Sequence, residues 1–269
     1  MEISLPTKHL SFSQVRSYLT CPACYAAQYV EGRPSTVTPA LAMGSGVHAA
    51  LDVCRRDFNS VNDPGRLWNV AEDAFDRSAE GVDRTGKVRS CERSGSSREW
   101  ALAKGNCQRL IDDGVVPLIA TERRAGMRYI GIESNLDYAG IWDFQFVGFA
   151  DVIAIEPSGQ TWIKDAKTSA RWKKPDSWAA LQLCLYSLAV GMPGDVMVGV
   201  DRLVPDGDYL YSPAKVAGGT AFQPSPQQKV EAWGLIQIVA EAITNKIFPA
   251  HPTQWQCRYD HPRFWWGLQ

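Results

Sequence analysis

The segments Phe146-Val147-Gly148-Phe149-Ala150-Asp151-Val152-Ile153 and Trp162-Ile163-Lys164-Asp165-Ala166-Lys167-Thr168 decide the fold of this chain. Both are short, apolar and rich in Val, Ile, Phe and Trp, with Pro157-Ser158-Gly159 between them, so they predict neighbouring strands of a buried sheet. Side chains alternate along a strand, which puts Asp165 and Lys167 on one side. Two carboxylates and an ammonium gathered at one sheet edge are costly unless something compensates them. A divalent cation is the usual compensation, and a cation with a lysine beside it makes a hydrolytic site.

Working outward, residues 127–138, 141–156 and 161–168 predict three consecutive antiparallel strands, separated by turn residues. Upstream the pattern is helical. Val15, Tyr18, Leu19, Tyr25 and Tyr29 recur at helical spacing over 14–30, with Ser11 and Ser13 as caps. Further helices are expected over 40–58, beginning near Gly44-Ser45-Gly46, over 64–80 from Pro64, and over 97–120 with an interruption at 114–117. The segments 31–39 and 81–95 predict loops, the second polar, charged and exposed. Downstream follow a helix over 178–190, a strand over 196–204, a turn at Asp206-Gly207-Asp208, a short strand at 209–211 and a last long helix over 227–247. The order gives an α/β (α+β) fold: a central mixed β-sheet flanked by helices. One domain spanning 1–269 is expected, with a mainly helical part at 1–125, the sheet core at 126–212 and a C-terminal helix and tail at 213–269.

The chain has 269 residues, is 45% hydrophobic and carries a formal net charge of −1, which suits one large domain with an elaborated helical part. The small charge excludes no nucleic-acid partner, since a local basic groove can suffice. No apolar run approaches the ~20 residues that cross a bilayer, so no membrane is expected. The N-terminus lacks a secretory pattern. Seven cysteines, odd in number and irregularly spaced, predict reduced thiols in a cytoplasm. There is no Gly-rich phosphate loop ending in Lys-Ser/Thr, so a motor that unwinds a duplex would have to come from a partner, a helicase or recombination protein.

Several motifs stand in order. Ser11-Phe12-Ser13 precedes Tyr18 and Cys21-Pro22. Gly44-Ser45-Gly46-Val47-His48 follows, then Gly148-Phe149-Ala150-Asp151-Val152 and Asp165-Ala166-Lys167-Thr168. Gln182 and Tyr186, four residues apart on one helical face, come last. As a set, spanning residues 11–186, they resemble the PD-(D/E)XK nuclease superfamily, in its RecB-like and CRISPR-adaptation-nuclease branch. That resemblance implies a restriction-endonuclease-like core with an N-terminal helical part, and a metal held by His48, Asp151, Asp165 and the backbone carbonyl of Ala166. The hard carboxylate oxygens suit Mg²⁺, and an imidazole admits Mn²⁺ as well. Lys167 would orient the attacking water and stabilise developing charge. Gln182 and Tyr186 would face the bound strand or brace the lysine and acids. Asp165 stands where many relatives carry Glu; the shorter side chain still reaches a metal. Glu133 lies on the strand before Asp151, and the sequence leaves open whether it faces solvent or joins the site.

Related nucleases often carry an iron–sulfur cluster built from one N-terminal and three C-terminal cysteines. Cys21 and Cys257 match two of these positions, while Asp260 and His261 stand where another would be. The spacings also allow a Cys₃His zinc site from Cys21, Cys24, Cys257 and His261. The simpler expectation is that Cys21 and Cys24 are buried helix residues without a metal. Arg171, Trp172, Lys173 and Lys174 follow the second strand and either hold phosphates and stack a base or form a solvated basic loop. The expected activity is metal-dependent hydrolysis of DNA, at single-stranded or duplex ends, and the resemblance implies an exonuclease in recombination, repair or phage and defence processing. A catalytically silent DNA-binding subunit is the alternative, opposed by the presence of both acids and the lysine. Hydrolysis of RNA ranks below both, because no module that reads 2′-hydroxyls is present.

Overall fold

The structure is a computed structural model that describes residues 3–83, 86–88, 90–138, 140–168, 177–190, 196–203 and 221–249. Strand β1 (Leu10–Ser11) leads into helix α1 (Phe12–Thr20), capped by Ser11, whose hydroxyl accepts from the Gln14 amide at 3.4 Å. The single helix expected over 14–30 breaks at Cys21. Its backbone is extended, at φ −160° and ψ 105°, as Pro22 demands of the residue before it. Helix α2 (Pro22–Tyr25) restarts at that proline and ends in a π-helical turn over Ala26–Val30.

Both expected loops hold strands. β2 (Ser35–Val37) falls within 31–39, and its parallel partner β3 (Cys91–Arg93) falls within 81–95. Helix α3 (Pro39–Arg56) starts earlier than the sequence suggests. Thr38 caps it, accepting from the Leu41 amide at 3.2 Å, so Gly44 and Gly46 lie inside the helix. Those glycines mark close approach instead of a helix start. A Cβ on Gly46 would stand 2.8 Å from the Ala71 carbonyl oxygen and 2.7 Å from Cys107 Sγ. Ala71 belongs to α4 (Pro64–Ala79) and Cys107 to α5 (Ser97–Leu110), so three helices converge on that point. The expected interruption near 114–117 is a π-helical turn, Ile111–Val115, which lets Pro117 enter the first turn of α6 (Val116–Arg124), where no amide is needed.

Six strands and two helices follow: β4 (Arg128–Asn135), β5 (Phe146–Val147), β6 (Phe149–Ile155), β7 (Thr161–Thr168), α7 (Ser177–Ala189), β8 (Met197–Leu203), β9 (Ala221–Phe222) and α8 (Pro226–Thr244). The main sheet runs β4-β6-β7-β8-β9. β4, β6 and β7 are antiparallel neighbours, β7 and β8 are parallel, and β9 is antiparallel to β8. β5 pairs instead with β1, in parallel. The chain passes through α7 between β7 and β8, as a parallel pair requires.

Alternation along the strands sorts the two faces. Ile163, Val198 and Val200 join one core with α1, α7 and α8, while Ala166 and Leu203 join another with α3, α4, α5 and α6. The architecture is therefore a mixed sheet between helical layers. The expected strand at 209–211 lies outside the described residues. Among the described residues no helix is long and apolar enough to cross a membrane.

Candidate metal centre

Val152 pairs with Lys164, so Asp151 and Asp165 lie one step further along, side by side at the end of the β6–β7 pair. Helix α3 reaches the same end. A Cβ on Gly44 would touch Thr168 Oγ1 at 3.4 Å, and one turn later His48 points at the strand ends. His48 Nδ1 lies 3.5 Å from Asp151 Oδ2 and 3.8 Å from Glu133 Oε1. Ligand atoms of His48, Glu133 and Asp151 all fall within 4.8 Å of one another.

Glu133, which the sequence left open, is thus inside the site. It sits between Ile132, paired with Val152, and Ser134, paired with Ala150, which sets it beside Asp151. Its φ is 46°, in the left-handed region, although it belongs to a strand. A non-glycine residue there costs on the order of 1 kcal/mol or more, and such strain clusters at functional sites. Sequence reasoning had no way to see this turn of the backbone.

The second acid is held from the other side. Asp165 Oδ1 accepts from Lys167 Nζ at 3.0 Å and from Gln182 Nε2 at 3.3 Å. Gln182 Nε2 also donates to the Tyr186 hydroxyl at 2.6 Å, so Tyr186, one turn further along α7, anchors the amide that braces this carboxylate. Gly148 makes room for this arrangement, since a Cβ there would stand 3.3 Å from Tyr186 Cε1 and 3.0 Å from the Tyr138 hydroxyl. Asp165 Oδ2 is buried 2.8 Å from Lys167 Nζ, in an ion pair without an aligned hydrogen bond. Burial, then the charge of Asp151, pushes the Asp165 carboxyl up to about 6, against the pull of Lys167. Burial, then Asp165, also raises the Tyr186 phenol. Lys167 itself is 39% exposed. Ala166 enters through its amide, which donates to Asp151 Oδ2 at 2.7 Å. The part of its carbonyl as a ligand rests on the resemblance alone.

Three carboxylates, Glu133, Asp151 and Asp165, therefore face one ammonium and one imidazole. The oxygen-rich donor set with a single nitrogen suits a hard divalent cation, and the strained acid and poorly bonded Asp165 Oδ2 are groups that such an ion would satisfy. The residues fit Mg²⁺ or Mn²⁺.

A second buried charge cluster lies across β7. Lys164 points to the opposite face from Asp165, and its Nζ meets Glu122 Oε1 at 2.9 Å and Asp201 Oδ1 at 3.5 Å. Arg55 Nη2 meets the same two carboxylates, at 3.5 and 3.4 Å. Tyr129 donates to Glu122 Oε2 at 2.7 Å. Arg55 is seven residues after His48, on the same side of α3, so one helix face serves both clusters. Sequence reasoning missed all four charges; strand alternation at Lys164 is the only signal that bore on them.

Cys21 and Cys24 are buried at the α1–α2 junction, and no cysteine joins a group of metal ligands among the described residues. Cys257, His261, Arg171, Trp172, Lys173 and Lys174 lie outside the described residues.

Comparison with known proteins bears on this geometry. A family model described as the PD-(D/E)XK nuclease superfamily matches residues 9–259. A solved structure titled "Crystal structure of SSO0001" aligns with 92% of this chain and 88% of its own, at 13% identity and a TM-score of 0.34. No curated protein matches the chain.

Proposed function

The chain belongs to the PD-(D/E)XK nuclease superfamily, and from that premise we propose that it is a metal-dependent DNA nuclease acting as an exonuclease. The observation that carries the reading is the junction of two groups at the end of β6 and β7: the His48, Glu133 and Asp151 cluster, and the Asp165–Lys167 pair beside it. His48, Glu133, Asp151 and Asp165 would hold the ion, with the Ala166 carbonyl as a further donor. A divalent cation held there would supply Lewis acidity toward the scissile phosphate and a water.

The chain's own residues do the rest. Lys167, partly exposed beside Asp165, hydrogen-bonds the attacking water and places a positive charge where negative charge develops. Asp165 holds that ammonium in place through both oxygens. Gln182 and Tyr186 fix the Asp165 rotamer from α7, so the lysine keeps one position. The Ala166 amide does the same for Asp151. The substrate is DNA with an accessible end, and a helicase or recombination protein would supply any unwinding.

A time course on end-labelled linear and on circular DNA, single- and double-stranded, with Mg²⁺ or Mn²⁺, tests this. Loss of label from linear DNA with circles left intact is the expected result. Cutting of circles would replace the exonuclease with an endonuclease, and binding without cleavage under either metal would replace the nuclease with a DNA-binding subunit.

A further inference from the structure

The metal centre opens into a cavity of about 770 Å³ between β2, α3, α4, β3 and the edge of the main sheet, with His48 and Glu133 in its wall. Its size falls within the roughly 300–1,000 Å³ of sites that enclose small ligands. Val37, Leu41, Val82 and Phe149 supply apolar lining. Among the described lining residues the formal charges are three acids, Asp52, Asp83 and Glu133, and one base, Arg77, beside His48. A run of phosphates would be repelled from such a space. A flat, uncharged base suits it.

Phe149 is the distinctive residue of this cavity. It is 48% exposed, although it stands in the catalytic strand. It lies two residues before Asp151, so both side chains project from the same face of β6. An exposed aromatic ring next to a metal-binding carboxylate has no packing role that burial would show. Base–aromatic stacking is the interaction it can offer a nucleic acid.

We infer that the cavity takes the base of the nucleotide bearing the scissile phosphate, with Phe149 as the surface on which that base stacks. This rests on the nuclease reading and adds the class of strand to it. A base paired within a duplex has no free face at this depth, so the cavity accepts an unpaired strand. Phe149 is then a positioning residue: it sets where the phosphate falls relative to the metal centre without touching the reacting atoms.

The test compares two single-stranded substrates of equal length, oligothymidylate and the same chain built from abasic residues, which keeps every phosphate and removes every base. In the unaltered protein, kcat/KM should favour oligothymidylate by about tenfold, the lower end of what stacking one base contributes, with the difference in KM. Phe149→Ala should bring that ratio to near one, and Phe149→Tyr should restore it. Equilibrium binding of both chains in Ca²⁺, read by fluorescence anisotropy, should show the same ratios. A ratio near one in the unaltered protein, or a ratio that Phe149→Ala leaves in place, overturns the inference. If neither chain is cut, the nuclease reading fails, and the binding ratios still decide whether Phe149 holds a base.

Discussion

On either side of β7 the molecule buries a group of charges, and the two groups differ in balance. Across the strand from the candidate metal centre, Arg55 and Lys164 each lie within 3.5 Å of both Glu122 and Asp201. Two cations meet two anions. At the strand's end, Glu133, Asp151 and Asp165 share Lys167 and a histidine. The acids respond accordingly. Burial works to raise Glu122, yet Arg55 and Lys164 override it and hold the carboxyl at about 2. Asp165 goes the other way, to about 6. Burial also lowers what Arg55 would otherwise show, but Glu122 and Asp201 outweigh it and raise the guanidinium. Asp201, bound at longer range, is raised by burial despite Lys164. Burial of charge alone thus says little about function. A balanced cluster is a structural device, and an excess of anion marks a place for a cation.

The sharpest way to break this contrast is to remove one residue from each cluster. Lys167→Ala should lower DNA cleavage by about a thousandfold while the circular dichroism spectrum keeps its folded signature. Retention of more than a tenth of the activity would take Lys167 out of the mechanism. Glu122→Ala leaves Arg55 and Lys164 buried without their shared partner and should cost about 3–5 kcal/mol in urea unfolding. A cost below about 1 kcal/mol would mean that the balanced cluster is not held together as its distances suggest.

The same cluster governs acid stability. Glu122 is held below its ordinary value of 4.5, so its contribution is present above that pH and is lost as pH falls towards about 2. The loss should amount to about 3 kcal/mol, trimmed by Asp201, whose raised pKa works in the opposite sense and weakens folding as pH rises through its range. Glu122→Gln should flatten the stability profile between those limits; an unchanged slope would assign acid unfolding elsewhere. The smallest effect belongs to the unbalanced cluster. Glu133→Gln removes one of three crowded negative charges and should raise the metal-free unfolding free energy by about 1 kcal/mol. A loss of stability would show that the acids there are already compensated.

Much of this was legible in the sequence, and the reasons are local. Asp151, Asp165 and Lys167 announce themselves because alternation in an apolar strand fixes which side chains share a side. His48, Gln182 and Tyr186 follow from helical spacing and from the resemblance. The first and third central strands and the helices after them are where periodicity puts them, but the strand expected over 141–156 holds sheet pairing only over Phe149–Ile155, with Phe146–Val147 turned to β1. What escaped depends on contacts distant in the chain. β2 and β3 are three residues each and exist only because they meet. Gly44 and Gly46 look like a helix start until Ala71 and Cys107 are seen against them. The charges of the balanced cluster come from α3, α6, β7 and β8, with no spacing in common. Glu133 enters the site through a left-handed backbone twist that no residue pattern signals.

The central claim is that the excess of carboxylate at the end of β6 and β7 holds a divalent cation. Calorimetric titration with Mn²⁺ tests it most directly, run in parallel on the unaltered protein and on Asp151→Asn. The account predicts stoichiometric binding that raises the melting temperature of the first and is lost in the second. Absence of binding in the unaltered protein, or equal binding in both, would contradict it.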